Sequence, residues 1–391
     1  MPINHQLYIM KTTHAQFAIT AFLAILTTDV CGQFSMQGEF RPRTEIRTGT
    51  KDALALIDDA SIVSTSQRTR LNLHYKTKDY TMKIAMQDVR AWGSASTLNN
   101  GGNNNFDLHE AWAEVKLKDK LFLKSGRQEL VYDDQRILGS VGWAQQARSH
   151  DLNLLKYQGK VNFHLGIAYN SGNNIPGSYE SMHFLWLQKD FSKIKMSALY
   201  LNRDGLLTMG SRMKTKIKGM ALNMNFYSQS NGVETGSLFG LDGGHKLNDN
   251  FNSAFSYEMQ TGDATGKLAF SPVFGTNHKF NGHMDYFHVG NHTNSVGLKD
   301  LAVSLRYRMK DLSFKGTFHK FEAYTDMPGL DGDLGSEIDL SIVYTFTKDV
   351  TFKLGHSIYM PTESMQSLIG GDINSPNNWS YLMLVIKPTF F

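Results

Sequence analysis

The stretch Gly335–Phe346 reads GSEIDLSIVYTF and alternates between two kinds of side chain. Ile338 and Leu340 share one face of an extended chain, because successive side chains of a strand point to opposite sides. Glu337 and Asp339 share the other face. A strand with one apolar and one charged face suits a wall between lipid and water. The stretch therefore predicts a strand of a transmembrane barrel.

The same period-two pattern recurs along the chain in segments of about ten residues, separated by turns rich in Gly, Asn, Asp and Ser. About 18 such segments give about 20 residues per strand with its connection, as tilted spanning strands require. The sequence thus predicts an all-β fold, an 18-stranded antiparallel transmembrane β-barrel. The predicted strands begin near Ser35, Ser61, Tyr80, Asp107, Leu121, Asp151, Val161, Ser181, Ile194, Leu207, Gly219, Thr235, Phe251, Leu298, Leu312, Leu334, Val350 and Trp379.

The connections differ in length in a way that suits such a barrel. Short turns such as 118–120, 158–160 and 348–349 contrast with four long polar stretches. We expect these long stretches to be outer loops or plugs inside the lumen. They are Leu98–Asn105, Ser171–Ser178, Thr261–Gly297 and Pro361–Asn378.

Composition narrows the class of protein. The 40 basic and 36 acidic residues leave a formal net charge of +4, too small a surplus for a nucleic-acid binder, so no nucleic-acid partner is expected. Beyond the N-terminus, no window approaches the roughly 20 continuous apolar residues that a membrane-spanning helix needs. The sequence therefore excludes a helical membrane protein.

A large soluble antiparallel protein, such as a sandwich or propeller, shares the alternation. No repeat of the length typical of propeller blades is visible. The last predicted strand, Trp379–Phe391, ends in an aromatic residue and resembles the assembly signal of outer-membrane proteins. We therefore expect a bacterial outer-membrane location, with membrane lipid and the barrel assembly machinery as partners, the latter through the C-terminal strand.

The N-terminus has the features of a secretory signal peptide. Lys11 and His14 precede the apolar run Ala15–Leu26, which is followed by the small-residue step Val30-Cys31-Gly32. We predict a signal peptide over residues 1–32 and a barrel domain over 33–391, with Met10 as an alternative start. A membrane anchor is the competing interpretation, but the apolar run is too short to span.

The single cysteine, Cys31, falls inside the segment expected to be removed. The mature chain then has no thiol for a disulfide, a metal or nucleophilic catalysis, and no cofactor or metal is predicted. A lipid-modified cysteine is the alternative, but Asp29 and Val30 stand where that signal uses small residues.

Two prolines interrupt the first and last predicted strands. Pro42 and Pro388 cannot donate a ladder hydrogen bond. We expect both to lie near strand ends or at bulges, close to the seam where the first and last strands meet.

Two stretches break the alternation and carry a resemblance. Ser125–Asp151 reads SGRQELVYDDQRILGSVGWAQQARSHD, and Phe274–Gly290 reads FGTNHKFNGHMDYFHVG. With the strand pattern around them, they resemble the alginate export porin family, in which a Gly-Arg-Gln strand end leads into an Asp-Asp-Gln-Arg loop. The resemblance implies an 18-stranded outer-membrane barrel with an electropositive constriction that passes an acidic polysaccharide.

The residues themselves point to an anionic path. Positions two apart on a strand share a face, so the charged positions of the first two strands should point into the lumen. Guanidinium groups match carboxylates and keep their charge, while neighbouring carboxylates would keep anion binding weak enough for release. The predicted pore-lining residues are Arg41, Arg43, Glu45, Arg47, Arg68, Arg70, Arg127, Glu129, Asp133, Asp134, Arg136 and Arg148, with 132–148 helping to form the constriction.

The resulting hypothesis is a passive channel for an anionic polysaccharide or another anionic solute. Bracing of a polar interior by the same charges is the structural alternative, and a general small-solute porin is the functional one. A barrel hydrolase is a third possibility, decided by whether a nucleophile, a base and a carboxylate converge at one rim.

Histidines do not favour an enzyme or a metal site. His278 and His283 lack the spacing of a known metal motif, so packing of a loop inside the lumen is expected. The neighbours His109-Glu110 and His150-Asp151 should point to opposite faces if extended.

Overall fold

The computed structural model of this chain describes residues 32–95, 97, 106–170, 178–263, 267–287 and 296–391. The predicted signal peptide, up to Cys31, lies outside the described residues, and so do Leu98–Asn105 and most of Ser171–Ser178. Within the described part of the chain, no helix is long and apolar enough to cross a membrane.

In the described part of the chain, eighteen strands make up nearly all of the regular structure. The first nine are β1 (Gln33–Thr48), β2 (Ile62–Lys76), β3 (Tyr80–Ala91), β4 (Phe106–Lys118), β5 (Leu121–Gln128), β6 (His150–Gln158), β7 (Asn162–Tyr169), β8 (Ser181–Phe191) and β9 (Ile194–Arg203). The other nine are β10 (Leu206–Ile217), β11 (Met220–Ser230), β12 (Thr235–Lys246), β13 (Phe251–Gln260), β14 (Leu298–Met309), β15 (Leu312–Glu322), β16 (Asp333–Thr345), β17 (Val350–Met360) and β18 (Asn377–Ile386).

The strands close into a single barrel. Each strand pairs antiparallel with the next along the chain, and β1 pairs with both β2 and β18. At the closing seam Arg43 lies opposite Met383 and Arg47 opposite Trp379. Closure removes every free sheet edge, as a lipid environment requires. The predicted 18-stranded antiparallel barrel is confirmed.

The connections divide the barrel into two unequal ends. Those at one end, called the short-turn end, contain two to four residues. Every connection of ten or more residues lies at the opposite, long-connection end. One of these, 361–376, contains the short helix α1 (Glu363–Ile369), whose first turn is capped by the Thr362 hydroxyl accepting from the Met365 amide.

Apolar side chains cover the outside of the barrel. Along β16, Ile338 and Leu340 are exposed while Glu337 and Asp339 are buried inside, as the alternation predicts. Exposed Val303 on β14 and Leu382 on β18 continue the same outer surface. An apolar exterior around a polar interior is the arrangement of a transmembrane barrel.

The packed core lies inside the lumen. A β5–β6 segment (129–149) brings Leu130 and Leu138 against wall residues such as Phe184. A β13–β14 segment (261–297, described except for 264–266 and 288–295) brings Met284 against residues such as Phe321. Burial of these side chains stabilises each segment inside the barrel, at about 1.5–3 kcal/mol for a fully buried large apolar side chain.

The two prolines behave differently from each other. Pro388 follows the end of β18, as predicted, and its carbonyl accepts a 2.9 Å hydrogen bond from the Gly38 amide. Pro42 instead lies in the middle of β1, opposite Gln67, so the expectation that it lies near an end or bulge is wrong. Because proline has no N–H, the ladder from β1 to β18 skips positions 41 and 42 and resumes at Arg43.

Candidate functional site in the barrel lumen

Arginines on β1 and β2 form a cluster on the inner wall. Arg41, Arg43, Arg68 and Arg70 are all buried, with Arg41 directly opposite Arg68 across the strand pair. Alternation explains their shared direction, because their outward neighbours, such as Phe40, are exposed. We call these four residues, with Arg47 on the same face of β1, the arginine ladder.

The ladder holds the β5–β6 segment in place. Arg41 donates from Nε to the Gln145 side chain at 3.0 Å and from Nη1 to the Gly142 carbonyl at 2.8 Å. Arg43 donates to the Trp143 carbonyl at 3.0 Å, and Arg68 to the Gln145 carbonyl at 3.1 Å. These bonds satisfy guanidinium donors without placing negative charge beside them.

Carboxylates neutralise part of the ladder. Glu39 accepts from Arg68 at 2.6 Å, and Glu45 accepts from Arg43 Nε at 2.8 Å. Arg47 instead donates to the Met284 and Thr50 carbonyls, at 2.6 and 3.0 Å. Glu45 thus lies within the ladder, and Arg47 ties the ladder to the β13–β14 segment.

A second charged group lies against β9–β13. Arg136 forms an ion pair with Glu258 and lies 3.3 Å from Asp134, with its guanidinium carbon 4.0 Å from the Phe280 ring centre. Asp134 also pairs with Arg212 on β10 at 3.5 Å. Arg136 and Asp134 therefore contact a different part of the barrel wall from the arginine ladder.

Three more predicted residues have separate surroundings. Asp133 accepts from Ser197 at 2.6 Å and from the Trp186 indole at 3.1 Å, and burial raises its pKa above the usual value despite both donors. Arg148 donates to the Gly275 carbonyl at 3.1 Å, and burial lowers its pKa to about 10. Glu129 lies 3.7 Å from Arg70, beside the ladder.

The prediction that Arg127 lines the lumen does not fit the structure. Arg127 shares the outward face of β5 with exposed Leu123, whereas its neighbour Gln128 is buried. Its guanidinium pairs at 2.8 Å with Asp151, and both side chains are largely open, 38% and 58% exposed. The alternation of β5 therefore directs Arg127 away from the ladder.

Two cavities occupy the lumen beside these groups. The outer cavity, about 390 Å³, lies at the long-connection end and is lined by Arg43, Arg47, Lys51, Trp143 and Asp285 among others. The inner cavity, about 340 Å³, lies against β13–β16 and is lined by Lys279, His283, Asp300, Lys315 and Asp339 among others. Charged side chains thus line two spaces of small-molecule size.

A histidine and carboxylate cluster was not predicted as a unit. His283 Nδ1 lies 3.6 Å from Asp339 on β16, and His319 Nδ1 on β15 lies 2.9 Å from a carboxylate oxygen of Asp300 on β14. Sequence indicated only that the β13–β14 segment packs in the lumen, which the structure shows. The inward face of β16, already visible in the alternation, is the signal that could have pointed to Asp339.

A serine, a histidine and a glutamate do converge near the end of β5. Glu129 forms a 2.7 Å hydrogen bond with His109 Nε2, and Ser149 Oγ lies 3.3 and 3.4 Å from the two nitrogens of the His109 ring. An atom equidistant from both nitrogens lies along neither lone pair, and the glutamate occupies the nitrogen that a serine would need. The arrangement does not activate Ser149 as a nucleophile.

His109 departs from the strict alternation predicted for its strand. His109 and Glu110 are both buried, because the ladder to β3 shifts register between Ala85 and Met86. With Glu129 they form a group that could hold a metal ion, but Lys83 pairs with Glu110 and Arg70 lies near Glu129. Lys83 and Arg70 therefore already supply the positive charge that a metal ion would bring to these carboxylates.

His150 and Asp151 do point to opposite faces, as predicted.

These features define the class of protein: an outer-membrane, porin-like β-barrel with two chain segments folded into its lumen. The sequence model of the family described as "Alginate export" matches residues 32–170, from the start of β1 to the end of β7. The match confirms the resemblance to the alginate export family over this part of the barrel and supports a bacterial outer-membrane location. Phe274–Gly290 lies beyond the matched residues.

Solved structures with the same fold cover nearly the whole chain. OccAB1 of Acinetobacter baumannii superposes with a TM-score of 0.66 at 13% identity, over 92% of this chain and 97% of its own. OccK11 (OpdR) and OccK5 (OpdH) of Pseudomonas aeruginosa each give 0.64 over 92% of this chain and 96% and 99% of their own, at 10% and 12% identity. At such identities the likeness shows the fold alone. No curated protein matches the sequence significantly.

Proposed function

We propose that the barrel is a passive, anion-selective channel whose selectivity comes from the arginine ladder. The observation that carries this proposal is the charge balance of β1 and β2, where five inward arginines face only Glu39 and Glu45 on the same strands. Most of the remaining guanidinium donors end on main-chain carbonyls, which satisfy hydrogen bonds without cancelling charge. In a narrow lumen with low-dielectric walls this surplus is focused along the path.

We expect the solute to bind first in the outer cavity. Arg43, Arg47 and Lys51 line it, and its two carboxylates, Glu45 and Asp285, are each held by one of these cations. Arg47 donates there to the Thr50 and Met284 carbonyls and lies over the Tyr286 ring, with no carboxylate among these partners. A carboxylate of the solute would replace a carbonyl partner of Arg47 at small cost and gain a charge-assisted bond.

The transported solute is proposed to be an acidic polysaccharide of the alginate type or a smaller uronate-like anion. The family match, which includes the ladder and the β5–β6 segment, supports this proposal. A cavity of about 390 Å³ suits one small solute at a time. A general small-solute porin remains the second candidate, favoured by the acidic residues on β14 and β16 that line the inner cavity.

The C-terminal strand is proposed to contact the barrel assembly machinery. Residues after β18 continue its antiparallel pairing along the start of β1, where the Phe390 amide donates to the Met36 carbonyl at 2.8 Å. The Phe390 and Phe391 side chains are 50% and 70% exposed, and an extended segment of this kind suits strand addition.

Reversal potentials in planar bilayers under a salt gradient test the channel. We expect anion preference in the parent, and a fall of about twofold or more in the anion-to-cation permeability ratio in Arg47→Gln and in Arg43→Gln, because each removes one focused charge. Arg127→Gln is the matched control, since that arginine faces outward and should leave the ratio unchanged. Cation preference in the parent, or equal effects of Arg47→Gln and Arg127→Gln, would contradict the proposal.

A further inference from the structure

The β13–β14 segment separates the two lumen cavities. Phe280, Asn281 and His283 line the inner cavity, while Asp285, two residues further on, lines the outer one. Trp143 of the β5–β6 segment lines the outer cavity beside it. The chain between residues 277 and 287, which we call the partition, therefore lies between the two cavities.

Contacts from the ladder side fix one flank of the partition. Lys51 pairs with Asp285 at 2.8 Å, and Arg47 donates to the Met284 carbonyl at 2.6 Å. Asp285 also holds His278 at 2.8 Å, and the His278 ring stacks on Trp143 with centroids 4.5 Å apart.

Contacts from β14, β15 and β16 fix the other flank. The Met284 amide donates to Glu337 at 2.8 Å, and Asn281 donates to Asp300 at 3.2 Å. His283 Nδ1 lies 3.6 Å from Asp339, which also lies 3.7 Å from His319 Nε2. The partition thus crosses the lumen and rests at both flanks on ionisable groups.

The flank on β14–β16 contains a pair of buried carboxyl groups. Glu337 and Asp339 are 0% and 2% exposed and lie two residues apart on the inward face of β16. Gly282 passes so close that an added Cβ would lie 2.5 Å from a Glu337 oxygen. Two adjacent buried carboxyl groups therefore hold this flank, and such a pair is sensitive to the protonation and charge of the groups around it.

We propose that the partition is an acid-released gate between the outer and inner cavities, with His283 as the residue that takes up the proton. The groups that face His283 are Asp339 and Glu337 from β16, His319 and Lys315 from β15, and His278 from the partition itself. Asp300 acts one step away, through His319. The inference rests on the proposed channel function, because a gate needs a path to close.

The direction of the pH effect follows from the environment of His283. Burial inside the barrel lowers its pKa to about 4, the neighbouring groups His278, Lys315 and His319 act in the same direction, and Asp339 opposes them. A histidine whose pKa is lowered in the closed form stabilises that form above pH 6.5. The stabilisation is lost as the pH falls from about 6.5 toward 4, because the released form takes up the proton first.

Asp285 responds in a different range. Burial alone would raise its pKa, but the charges and hydrogen bonds of His278 and Lys51 lower it below the usual value. Its contribution is therefore retained across the window in which His283 titrates, and the ladder-side flank stays attached. Protonation of His283 should therefore detach the partition from the β14–β16 flank and leave it anchored on the ladder side.

Single-channel conductance of the full chain at about pH 7.5 and about pH 5 tests the gate. A shift from 6.5 to about 4 sets a limit of about 30-fold on the change in the closed-to-open ratio. We expect about tenfold, because 28% of the His283 side chain is exposed to the inner cavity. His283→Gln should remove most of this response, and the matched control His74→Gln, a lumen histidine away from the partition, should keep it.

A second variant tests whether His283 acts by accepting a proton or only by packing. Asp339→Asn removes the carboxylate that raises the pKa of His283 in the closed form, so the conductance change between about pH 7.5 and about pH 5 should be retained and should extend to lower pH, while barrel folding is checked by heat-modifiable gel mobility. Ion flux without a pH response in the parent, or an unchanged response in folded His283→Gln, would overturn the gate and leave the channel intact. No ion flux at any pH would instead overturn the channel function itself.

Discussion

Arg68 and Glu39 show what single residues contribute to the lumen. The two side chains are 4% and 8% exposed and lie 2.6 Å apart, and Arg68 also holds the β5–β6 segment through the Gln145 carbonyl. Loss of one member of a buried pair leaves an uncompensated charge, which costs more than the pair contributes. The ladder is therefore structural and electrostatic at the same time.

Arg68→Ala should destabilise the barrel by about 3–5 kcal/mol, because Glu39 would remain buried with weaker partners. Urea unfolding of the protein in lipid vesicles, followed by tryptophan fluorescence, measures this change. Arg90→Ala is the control, since its pair with Asp88 lies at an open position and should leave the midpoint nearly unchanged. Equal midpoints for the two variants would contradict the role given to Arg68.

Sequence predicted the direction of ladder residues better than their partners. Alternation alone directs Arg41 and Arg43 inward, and followed through β5 it also directs Arg127 outward. The error at Arg127 came from reading a motif in place of the alternation. Partners such as Asp339 for His283 lie more than fifty residues away, and only barrel closure brings them together.

At the scale of elements, the strands were predictable because lipid and lumen impose opposite polarity on alternate residues. All 18 predicted starts fall within two residues of the observed ones. The two inserted segments were recognisable only as breaks in that pattern. Their paths depend on contacts between segments, such as Trp143 stacking on His278, which no local pattern encodes.

Trp143 contacts both lumen segments, so its substitution tests how these segments are held together. Its ring lies between the Arg43 guanidinium, 4.6 Å from the ring centre, and the His278 ring at 4.5 Å. Trp143→Ala should loosen both segments and raise single-channel conductance about twofold, because the side chain lines the outer cavity. Trp92→Ala, at a 60% exposed position, is the control. Unchanged conductance in Trp143→Ala would refute this role.

At the scale of the whole molecule, the barrel presents two surfaces that tolerate charge differently. Val303 on β14 faces lipid and is 53% exposed, whereas the next residue, Ser304, lies on the inward face of the strand with buried Asp300 and Ala302. Both lie near the middle of the same strand. The pair therefore compares the two surfaces at one depth of the membrane.

Val303→Arg should destabilise the folded barrel by about 2–4 kcal/mol, the range for arginine on the lipid face near the bilayer midplane. Ser304→Arg should cost much less, because the inner cavity offers space and the carboxylates of Asp300 and Asp339. Urea titrations in vesicles of one lipid composition give both values under the same conditions. A larger loss in Ser304→Arg than in Val303→Arg would reverse the assignment of inside and outside, and with it the lumen position of the arginine ladder and of the partition.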